Sequence, residues 1–165
     1  MSETLSIPAN GTKEEIYGAL LPQIEAIVSG TDDLIANLAN TAAMLKQAFD
    51  FHWVGFYRTT EPGLLTLGPF QGPLACITIP FNKGVCGAAA REQKTMLVRD
   101  VDEFPGHIAC SSLSKSEIVV PIVSDGETRL VLDVDSDKLD DFDSIDQMWL
   151  ERVASVISTR HWPAV

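Results

Sequence analysis

Through the first fifty residues, apolar positions recur every three or four residues, the period of an amphipathic helix. Ile16, Leu20, Ile24 and Ile27 mark one helix that starts near Thr12, where Thr12 and Glu15 have capping-box spacing. Pro22 falls inside this pattern and predicts a kink, because proline removes a backbone donor. A second helix is expected over 31–49. Thr31, Asp32 and Asp33 suit its positive N-terminal end, and Leu34, Leu38 and Leu45 lie on its apolar side. The period then changes to two. Strands are predicted over 51–59, 64–67, 75–81, 96–101, 117–123 and 128–134. Turn signals at Glu61-Pro62-Gly63 and Asp125-Gly126 make hairpins of two pairs. A short helix fits 85–92. A last helix fits 144–159, with Ile145, Trp149, Val153 and Val156 on one face. Helices at both ends of a hairpin-rich strand set predict an α+β fold. Its centre is an antiparallel sheet of about six strands with the terminal helices packed on it.

The chain has 165 residues, the length of one domain, with no repeat and no low-complexity tract. One connection is long. Residues 102–116 contain Pro105, Gly106 and several serines around Cys110, and structureless loops of this length inside a compact domain tend to be functional.

Charge narrows the partners. With 23 acidic and 12 basic residues the formal net charge is −11, which argues against nucleic-acid binding, favours solubility and tolerates a small or cationic ligand. No apolar stretch is long enough to span a bilayer, and the N-terminus lacks the basic and apolar regions of a signal peptide. The expected compartment is the cytoplasm, where cysteines are normally reduced. Three cysteines cannot all pair within one chain, so each reads as buried filler, metal ligand or redox-active thiol.

Cys110 lies in the long loop, with His107 three and Lys115 five residues away. Either neighbour would raise its thiolate fraction, and the competing reading is an inert cysteine under a lid. Cys86 sits at the start of the short helix between Gly84 and Gly87, where a helix N-terminus favours a thiolate. Cys76, in the predicted strand ACITIPF, reads by itself as a small core hydrophobe. A zinc site from His107, Cys110, Cys76 and Cys86 is the rival use of the thiols, but the spacing lacks the usual short paired-ligand knuckles.

Two further sets of side chains stand out. On the strand LVLDVDS, Leu130, Leu132 and Val134 point one way, while Val131, Asp133 and Asp135 point the other. If this strand pairs with SEIVVPIV, Glu117 comes near Asp135. Such a carboxylate face is either wet or a receptor for an ammonium group with a carboxylic acid as proton donor. On HWVGFYR, Trp53, Gly55 and Tyr57 share a face, and the glycine leaves room for a ligand that the aromatics would grip. The alternative is a core strand with a glycine kink.

The strings HWVGFY, ACITIPFNKGVCGAA, FPGHIACSSLSKSEIVVP and VLDVDS resemble the free methionine-R-sulfoxide reductases, stand-alone GAF-domain enzymes. The resemblance runs over residues 12–160, which would make the chain a single GAF-like domain with residues 1–11 as an N-terminal extension. Cys76, Cys86 and Cys110 are spaced ten and then 24 residues apart, as in that family. Glu117, Asp133 and Asp135 match its acidic pocket, and Trp53 and Tyr57 its pocket aromatics. Asn82, Ser111 and Lys115 depart from the family pattern of glycine, aspartate and arginine at these places.

The resemblance implies reduction of free methionine-R-sulfoxide, with Cys110 as nucleophile and Glu117, acting with Asp135, as proton donor. It assigns resolution of the Cys110 sulfenic acid to the other two thiols, with Cys76 favoured as first partner, Cys86 as auxiliary and the order open. It implies no cofactor and no metal, an external dithiol such as thioredoxin as reductant, a role in oxidative stress, and a homodimer. The rival function is a GAF module that senses a small ligand without catalysis. Such a module has no use for three cysteines at this spacing.

Overall fold

The computed structural model describes residues 4–108 and 110–164. Six strands form one antiparallel sheet: β1 (Trp53–Glu61), β2 (Leu64–Gln71), β3 (Thr78–Pro80), β4 (Met96–Val98), β5 (Ser116–Ser124) and β6 (Glu127–Ser136). Their order across the sheet is β3-β2-β1-β6-β5-β4. Helices α1 (Lys13–Ser29), α2 (Leu34–Phe49) and α4 (Ser144–His161) come from the two ends of the chain. They cover one face, where Val54, Phe56, Ile118, Val120, Leu132 and Val134 meet Leu20, Ile24, Leu38, Leu45, Leu150 and Ile157 in a continuous core. Helix α3 (Gly84–Glu92) lies against the other face and packs on Tyr57, Val119 and Val131. The expected α+β architecture is therefore present, as one six-stranded antiparallel sheet with four α-helices among the described residues. Among the described residues no helix is long and apolar enough to cross a membrane.

Local chemistry explains the element ends. Thr12 caps α1 and closes the predicted capping box with Glu15. Asp33, rather than Thr31, caps α2 by accepting from the Ala36 amide at 2.8 Å. The Asp125-Gly126 turn has positive φ at both residues (54° and 74°), the signature of a tight hairpin that follows the twist of the strands. The apolar faces of the terminal helices are rotated from the expected ones. On α1 the fully buried stripe is Tyr17, Leu20, Ile24 and Val28, and on α4 it includes Leu150, Val153 and Ile157. Ile145, Trp149 and Val156 pack only at its edge. Pro22 stays within α1, on its exposed side.

Two predicted strands are shorter than expected. β4 stops at Val98 and gives way to a short 3-10 turn over Val101–Glu103. β3 begins only at Thr78, so Cys76 is not in a strand. It lies in an irregular segment tied back to β1: the Trp53 indole donates to the Pro73 carbonyl and the Tyr57 hydroxyl to the Cys76 carbonyl, each at 3.1 Å.

One buried carboxylate joins the two ends of the chain. Asp146, in the first turn of α4, is 1% exposed. It takes Lys13 Nζ at 2.5 Å, the Tyr17 hydroxyl at 2.9 Å and the Asp143 amide at 2.9 Å. Removing it strands two α1 donors, one of them fully buried. Asp146→Ala is expected to cost about 3–5 kcal/mol in urea unfolding, as breaking a buried ion pair does. A loss under about 1 kcal/mol would reduce this contact to a surface pair.

Candidate active site

Strand register builds the site. Across the centre of the sheet, Trp53 is opposite Asp135, and Asp135 is opposite Glu117. One row further along, Gly55 is opposite Asp133, and Asp133 is opposite Val119. Tyr57 and Val131 make the third row. Because the side-chain period is two, all of these point away from the three-helix layer, toward α3 and the 102–116 loop. One cavity is lined by Trp53, Tyr57, Cys86, Cys110, Glu117, Asp133 and Asp135, seven of the eight residues singled out from sequence. The eighth, Cys76, joins them covalently. It forms a disulfide with Cys110, with Cα atoms 5.3 Å apart.

The acidic set is buried rather than wet. Glu117 and Asp133 are each 6% exposed, and Asp135 is half-buried. Burial opposes ionisation, and three carboxyl groups this close oppose it in one another. Burial, then the charges of Asp133 and Asp135, push Glu117 well above the ordinary carboxylate range. Burial and the Asp133 charge do the same to Asp135. Asp133 is raised by burial to about 6, held there by hydrogen bonds from the Cys86 thiol and the Glu117 carboxyl. Its Oδ1 nevertheless has no hydrogen-bond partner. The set thus divides its roles near neutral pH. Asp133 carries the charge, and Glu117 keeps a proton. The first suits a cationic group and the second suits a proton donor.

The cysteines differ in the same terms. Cys86, in the first turn of α3, is 3% exposed, and its Sγ lies 3.9 Å from Glu117 Oε1. Its expected thiolate character is reversed. Burial, then the charges of Asp133 and Glu117, push its pKa well above the usual thiol value and outweigh the helix N-terminus. Cys76 and Cys110 are only half-buried and already paired. The zinc set of His107 with all three cysteines is therefore not assembled in this state. Among the described residues, the group whose ligand atoms converge is Cys86, Glu117 and Asp133, all within 4.8 Å of one another.

Gly55 also works differently from expectation. A Cβ there would fall 2.3 Å from Phe70 Cβ and 2.7 Å from the Trp53 ring, so the missing side chain makes room for these two rings rather than for a ligand. They stack at 5.3 Å, and Tyr57 also stacks on Trp53 at 5.9 Å.

Several contacts of the loop were not anticipated. His107 and Ile108 line the cavity, and burial lowers the His107 pKa. Ser114 hydrogen-bonds Asp135. Ser111 Oγ meets His52 Nε2 at 3.1 Å and accepts the Leu113 amide at 3.3 Å, which fastens the loop beside Cys110 to the start of β1. These are contacts between segments distant in the chain, and the serine-rich composition of the loop was their sole trace in the sequence.

The GAF domain family model matches residues 29–159. The chain is 54% identical to GAF domain-containing protein A of Dictyostelium discoideum, over 95% of this chain and 99% of that one. It is 42% identical to the free methionine-R-sulfoxide reductase of Saccharomyces cerevisiae, over 95% and 92%. A crystal structure of free methionine-R-sulfoxide reductase from Neisseria meningitidis in complex with its substrate superposes with a TM-score of 0.93 at 50% identity, covering 96% of this chain and 95% of that one.

The raised Asp133 pKa has a consequence for stability. Between the ordinary value of 3.8 and about 6, the folded chain holds a proton that the unfolded chain has released. The stability this contributes is present below 3.8 and is lost as pH rises through 6. Asp133→Asn escapes that loss. It is expected to be more stable than wild type by roughly 1–3 kcal/mol at neutral pH. The advantage should shrink on acidification through 6 and vanish near the ordinary aspartate value. Urea unfolding of both proteins across this range checks it, and a variant less stable than wild type at every pH contradicts it.

Proposed function

The chain belongs to the GAF-domain family of free methionine-R-sulfoxide reductases, and from that membership we propose that it reduces free L-methionine-(R)-S-oxide to methionine in the cavity under the 102–116 loop. The observation that carries the reading is the placement of the Cys76–Cys110 disulfide at the mouth of a cavity floored by three carboxyl groups.

The substrate ammonium binds Asp133, whose unpartnered oxygen and position on the cavity floor suit a buried cation. The methyl end lies against Trp53. A peptide nitrogen has no charge to offer this pocket, which restricts the substrate to the free amino acid. Cys110, as a thiolate, attacks the sulfoxide sulfur. The oxygen is a poor leaving group until protonated, and Glu117, which burial keeps protonated, donates to it, with Asp135 alongside. The substrate S–O bond breaks as the protonated oxygen passes to the Cys110 sulfur, so that methionine leaves with its sulfur reduced and Cys110 is left as a sulfenic acid. Cys76 condenses with it, releasing water and forming the disulfide.

Cys86 is the poorer resolving thiol, because burial and the adjacent carboxyls hold its proton. An external dithiol, thioredoxin in a reducing cytoplasm, exchanges with the half-buried disulfide and restores both thiols, which suits a response to oxidative stress. The preference for the R epimer is carried by the family alone.

Incubation with free methionine-R-sulfoxide and dithiothreitol should yield methionine. Cys110→Ser should lower the rate by at least about a hundredfold, as loss of a nucleophile does. Equal inactivity of wild type and Cys110→Ser would sink the reductase reading. Without reductant, Cys76→Ser should form about one methionine per chain and then lose turnover with thioredoxin, since its sulfenic acid has no ready partner. Asp133→Asn should raise KM roughly tenfold to a hundredfold, the worth of a hydrogen-bonded charge. An unchanged KM would remove the ammonium contact.

A further inference from the structure

The two carboxylates on the cavity floor have their parts in the proposed reduction, but the Cys86 sulfur that converges with them is not needed for either. An ammonium group needs oxygens, and a thiol is a weak acceptor that adds nothing to its receptor. Sulfur among oxygens is instead the donor set of a thiophilic divalent cation. Cys86 Sγ, a Glu117 oxygen and an Asp133 oxygen all lie within 4.8 Å of one another, and Cys86 Sγ stands 3.9 Å from Glu117 Oε1. On a tetrahedral zinc, sulfur and oxygen ligands are separated by roughly 3.5 Å, so the Cys86–Glu117 pair need close by only a few tenths of an ångström and no pair by more than about 1.5 Å. Asp133 Oδ1 is buried without a partner, beside the other two ligands. The site rests on two strands paired in the centre of the sheet and on the first turn of α3, so its donors are held by rigid elements.

We propose that Cys86, Glu117 and Asp133 form a binding site for Zn2+ or a similar thiophilic divalent cation, which occupies the place of the substrate ammonium and holds the enzyme inactive. On binding, Cys86 and any protonated carboxyl release their protons to solvent, and the dication offsets the three anions that result. The fourth position is left to water or to Asp135, which lines the same cavity. Magnesium and calcium are excluded by the sulfur and by the shortage of oxygens. The metal site stands on this geometry, and only its inhibitory effect rests on the reductase reading.

The oxidised chain offers a clean probe. Two of its three cysteines are in the disulfide, so Cys86 is its one thiol. Co2+ added to the oxidised protein should produce a near-ultraviolet thiolate-to-cobalt charge-transfer band that saturates at one equivalent. Zn2+ should bleach it and excess Mg2+ should not. The band should be absent in Cys86→Ala, and Asp133→Asn should bind Co2+ at least tenfold more weakly. No band, a band that survives in Cys86→Ala, or undiminished affinity in Asp133→Asn would overturn the site. In the reduced protein, with a phosphine as reductant, Zn2+ should slow methionine formation and a chelator should restore it. A metal bound through Cys86 that leaves the rate unchanged would overturn the inhibition and with it the placing of the ammonium on these carboxylates, while the metal site itself would stand.

Discussion

Three carboxyl groups and a thiol are pressed together on one face of a sheet, and the rest of the structure is arranged around their mutual repulsion. Glu117 faces Asp135 across a ladder rung, and Asp133 lies one row away. Burial denies them water, so most of their charge is withheld as bound protons. Such a cluster costs stability, and the opposite face of the sheet offsets it. There three helices bury a continuous apolar core, and a fully buried Asp146 clamps the first helix to the last. Separating the two faces lets one stabilise the fold while the other stays under electrostatic tension, the usual arrangement of a functional site on a rigid scaffold.

In the proposed reduction the tension is useful, because a cation relieves it. The substrate ammonium would lower the cost of ionising Asp133 and leave the Glu117 proton for the sulfoxide oxygen. The Cys76–Cys110 disulfide sits on the loop side of the same cavity. Cys110 is carried by a loop fastened through Ser111 and Ser114, and Cys76 by a segment hung from the polar ends of Trp53 and Tyr57. The pocket aromatics therefore have two duties. Their rings line the cavity, and their donors position the backbone around the second thiol.

Much of this was legible in the sequence. Period-two alternation placed Asp133 and Asp135 on the face opposite to Leu132 and Val134, and the Asp125-Gly126 turn marked the hairpin; the register shift at Ile122/Val123 that brings Glu117 opposite Asp135 left no mark in the sequence. Period alone misjudged the outer helices by one position, because Tyr17 and Leu150 are drawn inward by Asp146 and by the core rather than by local spacing. Cys76 was assigned to a strand because its flanking residues alternate. The tether from Tyr57 and the disulfide, both long-range, pull it out of the ladder. The Cys86 reading failed for an electrostatic reason. A helix N-terminus was visible in the sequence, but the burial that overrules it, and the carboxylates of β5 and β6 that add to it, come from the fold. Gly55 was seen as space, and only the fold shows that Phe70 and Trp53 fill it.

Asp133 is proposed to be a strained carboxylate that a bound cation relieves. Titration of a carbon-13 label at the Asp133 carboxyl, by NMR on the reduced protein with and without saturating methionine, tests it directly. A midpoint near 6 in the free protein, falling toward or below the ordinary value of 3.8 when methionine and its ammonium group are bound, is the predicted result. A midpoint already near 3.8 in the free protein, or one that methionine leaves in place, would contradict it.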